Sequence, residues 1–161
     1  MRTRPARDDD ADDLIGLIAA CWAAYPGCVL DVHGEMPHLL AVASHYEGLG
    51  GRVWVVEDPG RVVASVALVP STAGDPTGRG VELRMLYVDR RWRRRGLGAD
   101  LVALVEDHAR GHGAPFVDLW SDTRFTDAHR LYERLGYRRL PETRELNDLS
   151  STIEFHYCKT L

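Results

Sequence analysis

The hexapeptide Arg93-Arg94-Arg95-Gly96-Leu97-Gly98, followed by Ala99, lies between a β-branched run and an amphipathic one. Two glycines at a strand-to-helix turn let the main chain approach a ligand. The first-turn N–H groups of the helix are unpaired donors at its positive end, so the turn can cradle an anion. It lacks the G-K-[ST] ending of a P-loop, and position 101 is Leu where a dinucleotide fingerprint needs Gly. Taken alone, the glycines favour an ordinary turn beside a solvated arginine run, because short glycine patterns are weakly specific. About forty residues on, Ala128–Tyr137 forms a helical stretch ending in Leu135-Gly136-Tyr137. His108 and His112 stand four apart, but no H-E-x-x-H and no third ligand accompany them, so no metal is expected. Cys28 near Asp31 and His33 permits a cysteine nucleophile on paper; a small buried thiol is the commoner outcome for such a residue.

These residues need elements to hold them. Thr3–Arg7 reads as a short strand, and the aspartates at 8–10 and 12–13 favour the positive end of a helix reaching Tyr25, with Leu14, Ile15, Leu17, Ile18, Cys21 and Trp22 as its apolar stripe. A second helix is expected from Pro37 to Tyr46. Arg52–Glu57 and Arg61–Val69 flank Asp58-Pro59-Gly60 as a hairpin, and Val81–Val88 follows a Gly/Pro/Thr loop at Pro70–Gly80. Helix Ala99–Arg110 and strand Phe116–Trp120 make a strand, helix, strand unit with parallel strands. Helix Thr126–Leu135 and strands near Tyr137–Leu140 and Ile153–Lys159 complete the order. The fold class is therefore α/β (α+β), a mixed and mainly antiparallel sheet flanked by helices.

The length of 161 residues, 45% hydrophobic and 27% charged, predicts a single globular domain over 1–161 with a core. The formal charge of −4 argues against a nucleic-acid binder, so any basic surface must be local. No apolar run reaches the roughly 20 residues of a membrane helix, and the aspartates after Arg7 occupy the place of a signal peptide's apolar region. Three cysteines without C-x-x-C fit a reducing compartment, so a cytoplasmic location is expected.

With R-x-x-G-x-G after a strand and Leu131-Tyr132-Glu133-Arg134-Leu135-Gly136-Tyr137 closing a later helix, nearly the whole chain resembles the GNAT superfamily of N-acetyltransferases. The resemblance implies that acetyl-coenzyme A (acetyl-CoA) is the acetyl donor. Its pyrophosphate would meet Arg93, Arg94, Arg95, Gly96, Gly98 and Ala99, chiefly their main-chain N–H groups. Arg90, Arg91 and Arg94 would either reach the nucleotide 3′-phosphate or stay on the surface. The strand Val81–Val88 matches the family's splayed strand, with Leu86 and Val88 pairing to pantetheine and an N–H near Leu86 facing the thioester carbonyl.

Aminolysis of a thioester needs a neutral amine, and Glu82 matches the position of a base in members related to histone acetyltransferases. It precedes Leu86 by four residues, and alternation along a strand puts both on one face. Its other reading is a carboxylate paired with Arg84. Tyr132 matches the family's acid for the departing thiolate; the asparagine often present near the start of that helix is replaced by Asp122, Thr126 and Asp127.

The implied function is direct acetyl transfer, in a ternary complex, to a primary amine of a small molecule or protein. The linker after Tyr25, with Asp31, His33 and Glu35, would line the acceptor side and favour a cationic amine; Asp31 and Glu35 also fit as caps of the following helix. No nucleic-acid or membrane partner is expected, and a homodimer is left open. The alternative function is a non-catalytic acyl-CoA sensor or partner-binding module.

Overall fold

The computed structural model describes residues 1–73 and 78–161; the middle of the loop expected at Pro70–Gly80 lies outside the described residues. Seven strands form one sheet in the order β1-β2-β3-β4-β5-β7-β6: β1 Arg2–Pro5, β2 Arg52–Asp58, β3 Arg61–Pro70, β4 Val81–Val88, β5 Phe116–Asp122, β6 Arg138–Glu145 and β7 Ile153–Thr160. Every pairing is antiparallel except β4 with β5. The expected mixed, mainly antiparallel sheet is therefore present.

Helices α1 Ala11–Trp22 and α2 Val42–Gly48 pack over β2, β3 and β4, enclosing Leu14, Leu17, Val42, Val55 and Ala67. On the other face, α3 Leu97–Gly111 and α4 Thr126–Arg134 bury Leu101, Val105, Val66, Leu83 and Leu119. Strand β3 is buried throughout Val62 to Val69 and apolar there except at Ser65, as a strand covered on both sides must be.

Some boundaries differ from the sequence reading, each for a local reason. Helix α1 stops at Trp22, where the chain tightens so that Tyr25 N donates to Trp22 O. Pro37 opens a 3-10 turn, Pro37–Ala41, before α2. Strand β6 runs past Pro141 to Glu145, because the register with β7 breaks between Arg139 and Thr143, and a proline is tolerated at such an irregularity on an edge strand.

Helix α4 ends on Gly136 at φ 90°. Tyr137 N donates to Tyr132 O at 3.0 Å and Gly136 N to Glu133 O at 3.1 Å, the paired closure that a left-handed glycine makes available. The Leu-Gly-Tyr signature is thus a helix stop that fixes Tyr132 one turn above it.

Candidate active site

Strands β4 and β5 are paired only at Val81 with Val117 and Glu82 with Asp118. Beyond that rung they diverge. Two residues of β4, Met85 and Leu86, oppose the single Val66 of β3, which is a β-bulge, and Met85 sits at φ 53°. Ser65 Oγ donates to Met85 O at 2.8 Å and holds the bulge in place. Past it, Asp89 N donates to Val63 O at 2.9 Å; by antiparallel alternation the main-chain groups of Val88 point away from β3, toward the opening.

The bulge overturns one expectation. Register partners place Glu82, Arg84 and Tyr87 on the face of Val69, Ala67 and Ser65, whereas Leu86 packs with Leu83 and Val88 against α3 and α4. Glu82 and Leu86 therefore lie on opposite faces despite their even spacing, because the extra residue reverses the alternation. Glu82 is buried, and Arg84 Nε and Nη2 donate to its two oxygens at 2.7 and 3.0 Å.

At the opening lies a cavity of about 250 Å³, bounded by α1, the C-terminal half of β4, the turn before α3, and α4. Leu86, Val88, Arg93, Arg94, Gly96, Gly98 and Ala99, expected at the donor, and Tyr25, expected on the acceptor side, line it together. The turn has the geometry of a cradle. Arg94 and Gly96 take φ 63° and 87°, and Gly96 is the N-cap of α3, whose first-turn amides have no intrahelical acceptor. A Cβ on Gly98 would come within 3.1 Å of Leu131 Cδ2, so glycine keeps the passage between α3 and α4 open. Four arginines (93, 94, 130 and 134) and one aspartate, Asp127, stand on the cavity wall, a locally positive lining in a chain of net charge −4.

Other expected residues lie elsewhere. Arg95 stacks over Trp92 at 5.0 Å and is not on the cavity wall. The Arg93 side chain turns inward, with Nε donating to Val88 O at 2.9 Å and Nη2 to Cys21 Sγ at 3.4 Å, so it braces the strand end. Tyr132 is buried between Tyr137 and Tyr157, each ring centroid 5.9 Å away, one residue from the lining Leu131. Burial pushes its phenol above the ordinary range, and the neighbouring Tyr87 adds to the shift.

Asp31 and His33 do not line the cavity. Asp31 Oδ1 accepts from Gly34 N at 2.9 Å in its own turn, and Glu35 Oε1 accepts from Leu149 N at 2.7 Å. With Val29 N donating to Ser150 Oγ, these bonds tie the 26–36 linker to the loop between β6 and β7. Sequence reasoning missed Cys21, Trp22, Tyr87, Phe125, Arg130 and Arg134 as wall residues. Tyr87 is the most consequential: Trp22 Nε1 donates to its oxygen at 3.3 Å, leaving its own O–H free to donate.

Residues 17–137 match the model of the acetyltransferase (GNAT) family. The chain belongs to that family. It is 34% identical over 122 residues to the N-acetylaspartate synthetase of Danio rerio, covering 76% of this chain and 40% of that protein. The chain spans about half the length of the curated relatives it matches. Among solved structures, the GNAT acetyltransferase of Staphylococcus aureus Mu50 superposes with a TM-score of 0.81 at 17% identity, covering 99% of this chain and 98% of that one. Salmonella typhimurium yncA, solved with its cofactor acetyl-CoA, superposes at 0.75 with 20% identity, covering all of this chain and 94% of that one. The GNAT assignment made from the glycine turn and the Leu-Gly-Tyr closure therefore stands, as does the fold; acetyltransfer is the family's activity.

Proposed function

We propose that this GNAT domain transfers the acetyl group of acetyl-CoA to a primary amine, by direct attack in a ternary complex. The observation that carries the reading is the continuity of the cavity: one positively lined space joins the glycine turn that opens α3 to the splayed edge of β4. The left-handed Gly96 and the passage that a side chain at Gly98 would fill fit a pyrophosphate with an extended arm behind it. Acetyl-CoA supplies a thioester, a carbonyl carbon open to attack by nitrogen. Curated relatives include N-acetyltransferase 8 of Homo sapiens, 34% identical over 98 residues that cover 60% of this chain and 42% of that protein, and yncA carries acetyl-CoA; both facts support the donor and the nitrogen acceptor.

In this reading the amides of Gly98 and Ala99, with Arg94, hold the diphosphate, and the outward main chain of Val88 pairs with the donor's amide arm. As the C–N bond forms and the C–S bond breaks, nitrogen loses a proton and sulfur gains one. Tyr132 is the proton donor to sulfur that the sequence motif selects, and Tyr87, on the cavity wall beside it, is the structural rival. Glu82 is the proton acceptor that the resemblance selects, acting through water because it lies off the cavity wall, on the face opposite Leu86.

The test is calorimetric titration of acetyl-CoA, followed by thiol release with a panel of amines. Binding with amine-dependent release is the expected result. Binding without release for any amine would favour a non-catalytic acyl-CoA sensor, and no binding would remove the cavity from the donor's path.

A further inference from the structure

The face of β5, β7 and β6 on the side of α1 and α2 carries chemistry that the donor site does not use. Register places Asp118, Trp120 and Asp122 of β5 there, opposite Cys158, His156 and Glu154 of β7, with Glu82 and Arg84 of β4 on the same side. Helices α1 and α2 cover β2, β3 and β4 and leave this half to the 26–36 linker and the loop between β6 and β7.

Three arginine–carboxylate pairs on this face share one orientation. Glu82 is 3% exposed and its Arg84 37%; Asp122 is 7% and Arg124 27%; Glu154 is 14% and Arg144 40%. In each pair the carboxylate lies inside and the guanidinium outside. The forks are pre-set: Arg84 and Arg124 each give two donors to one carboxylate, and Arg144 is held by Glu154 and lies 4.5 Å over the Trp120 ring. Trp120 stacks in turn on His156 at 4.2 Å, and His156 Nε2 lies 2.9 Å from Asp118 Oδ2. A molecule approaching the splayed edge of β4 from this side meets guanidinium first, although the buried layer beneath is acidic. Each guanidinium is neutralised by its own carboxylate, so what the outer layer offers an incoming molecule is N–H donors already oriented for an anionic oxygen. The linker carboxylates expected to attract an ammonium stand off the cavity wall, directed at N–H groups in their own turn and at Leu149.

We infer that the acceptor is an amine bearing a carboxylate, an amino acid or a close analogue, with Arg84 as the contact for that carboxylate. Arg84 is two residues from Leu86, on the strand that borders the donor cavity, and a guanidinium carries five N–H groups, more than Glu82 and Tyr46 occupy. An α-carboxylate resting there keeps its amine within one residue's reach of the splayed edge.

This inference rests on the amine acetylation proposed above, and its test separates the two. Matched triples of amino acid, carboxamide and decarboxylated amine (phenylalanine, its amide and phenethylamine, with similar sets on other side chains) are offered with acetyl-CoA, and thiol release is followed. The acid should exceed its amide in kcat/KM by about tenfold or more, the scale of a charge-assisted hydrogen bond, mainly through KM. Arg84→Gln should close that gap. Because this variant leaves Glu82 buried without its partner, Arg84→Lys, which keeps the charge and loses the fork, is measured beside it and should narrow the gap. Amides or decarboxylated amines acetylated as well as the acids would overturn the inference and leave amine acetylation standing. A preference for acids that is unchanged in both variants would overturn the role of Arg84. Bound acetyl-CoA with no release from any triple would overturn both readings together.

Discussion

If the proposed reaction holds, two positions, Gly98 and Tyr132, test how the cavity holds the donor and turns it over. Gly98 faces Leu131 and Val88, and a side chain there fills the gap between α3 and α4. Gly98→Val should weaken acetyl-CoA by about tenfold or more, roughly 1.4 kcal/mol, with an unchanged far-UV spectrum; equal affinity in calorimetry would place the diphosphate elsewhere. Tyr132→Phe removes a hydroxyl and keeps the ring between Tyr137 and Tyr157. It should preserve donor affinity and lower kcat by roughly 10²–10⁴-fold, the range of a general acid. Tyr87→Phe is the control, since Tyr87 lines the cavity and takes the Trp22 N–H. A large fall in that variant with none in Tyr132→Phe would transfer the acid role to Tyr87. At this scale the glycine turn was legible because its residue types are demanded by backbone geometry. The inward turn of Arg93 was not, because it depends on Val88 O and Cys21 Sγ, which are remote in sequence or set by a strand's end.

The element that makes the site is the bulge in β4. A regular β4 would keep alternating and place Leu86 on the face of Glu82. The extra residue at Met85 instead sends Leu86 to the other side, where its neighbours are Leu83 and Val88. Met85 holds a left-handed φ of 53°, costing roughly 1–2 kcal/mol for a residue with a Cβ, and the buried hydroxyl of Ser65 offsets part of this by capping its carbonyl. Deleting Met85 should restore regular pairing with β3 and abolish measurable acetyl-CoA binding, while Met85→Gly, which accepts the same φ without a Cβ, should retain it. A deletion variant that is folded and binds like the parent would show that the splay does not depend on the bulge. Sequence alternation located β4 but could not reveal the bulge, because Arg84-Met85-Leu86 contains neither glycine nor proline to mark it. Strand β6 was curtailed at Leu140 for the opposite reason, since Pro141 marks a break that the edge strand absorbs. The helix order and the parallel unit of β4, α3 and β5 were legible throughout, being written in long apolar periodicities.

Across the whole molecule charge is mixed, with local excesses: the cavity wall carries four arginines and one aspartate, and five of the 24 acidic residues are the aspartates at 8–10 and 12–13 of the N-terminal edge. Sequence reasoning assigned those aspartates to a helix dipole; the structure gives several of them particular partners. Asp13 accepts Val62 N at 2.9 Å, Asp8 accepts Ser44 N and Oγ, and Asp10 accepts the Arg7 N–H and the Arg4 guanidinium, which also reaches Glu57 across β1 and β2. Burial pushes the Asp10 carboxyl up, but Arg4 and the Arg7 N–H outweigh it and hold it below the usual range; Arg4 likewise lowers Glu57. A carboxylate with a depressed folded value stabilises the fold at pH above its unfolded value, near 4, and loses that contribution as pH falls through the folded one. Asp118 and Glu154, raised by burial, act in the opposite sense: their favourable contribution is present at low pH and lost as pH rises through their folded values. Acid sensitivity should therefore centre on Arg4. Arg4→Gln should destabilise the protein by about 1–3 kcal/mol near pH 7, the cost of withdrawing a charged partner from the buried Asp10 carboxylate. In urea unfolding at pH 7 and at the lowest pH where the parent stays folded, the gap between parent and variant should be smaller at the acid value, because protonation of Asp10 and Glu57 as pH falls through their folded values ends their attraction for the guanidinium. A gap of equal size at both pH values would instead assign the loss to packing of the Arg4 stem along β1, and the acid response would then have to come from Asp8 and Asp89, whose carboxyls are held low by Ser44 and Arg91.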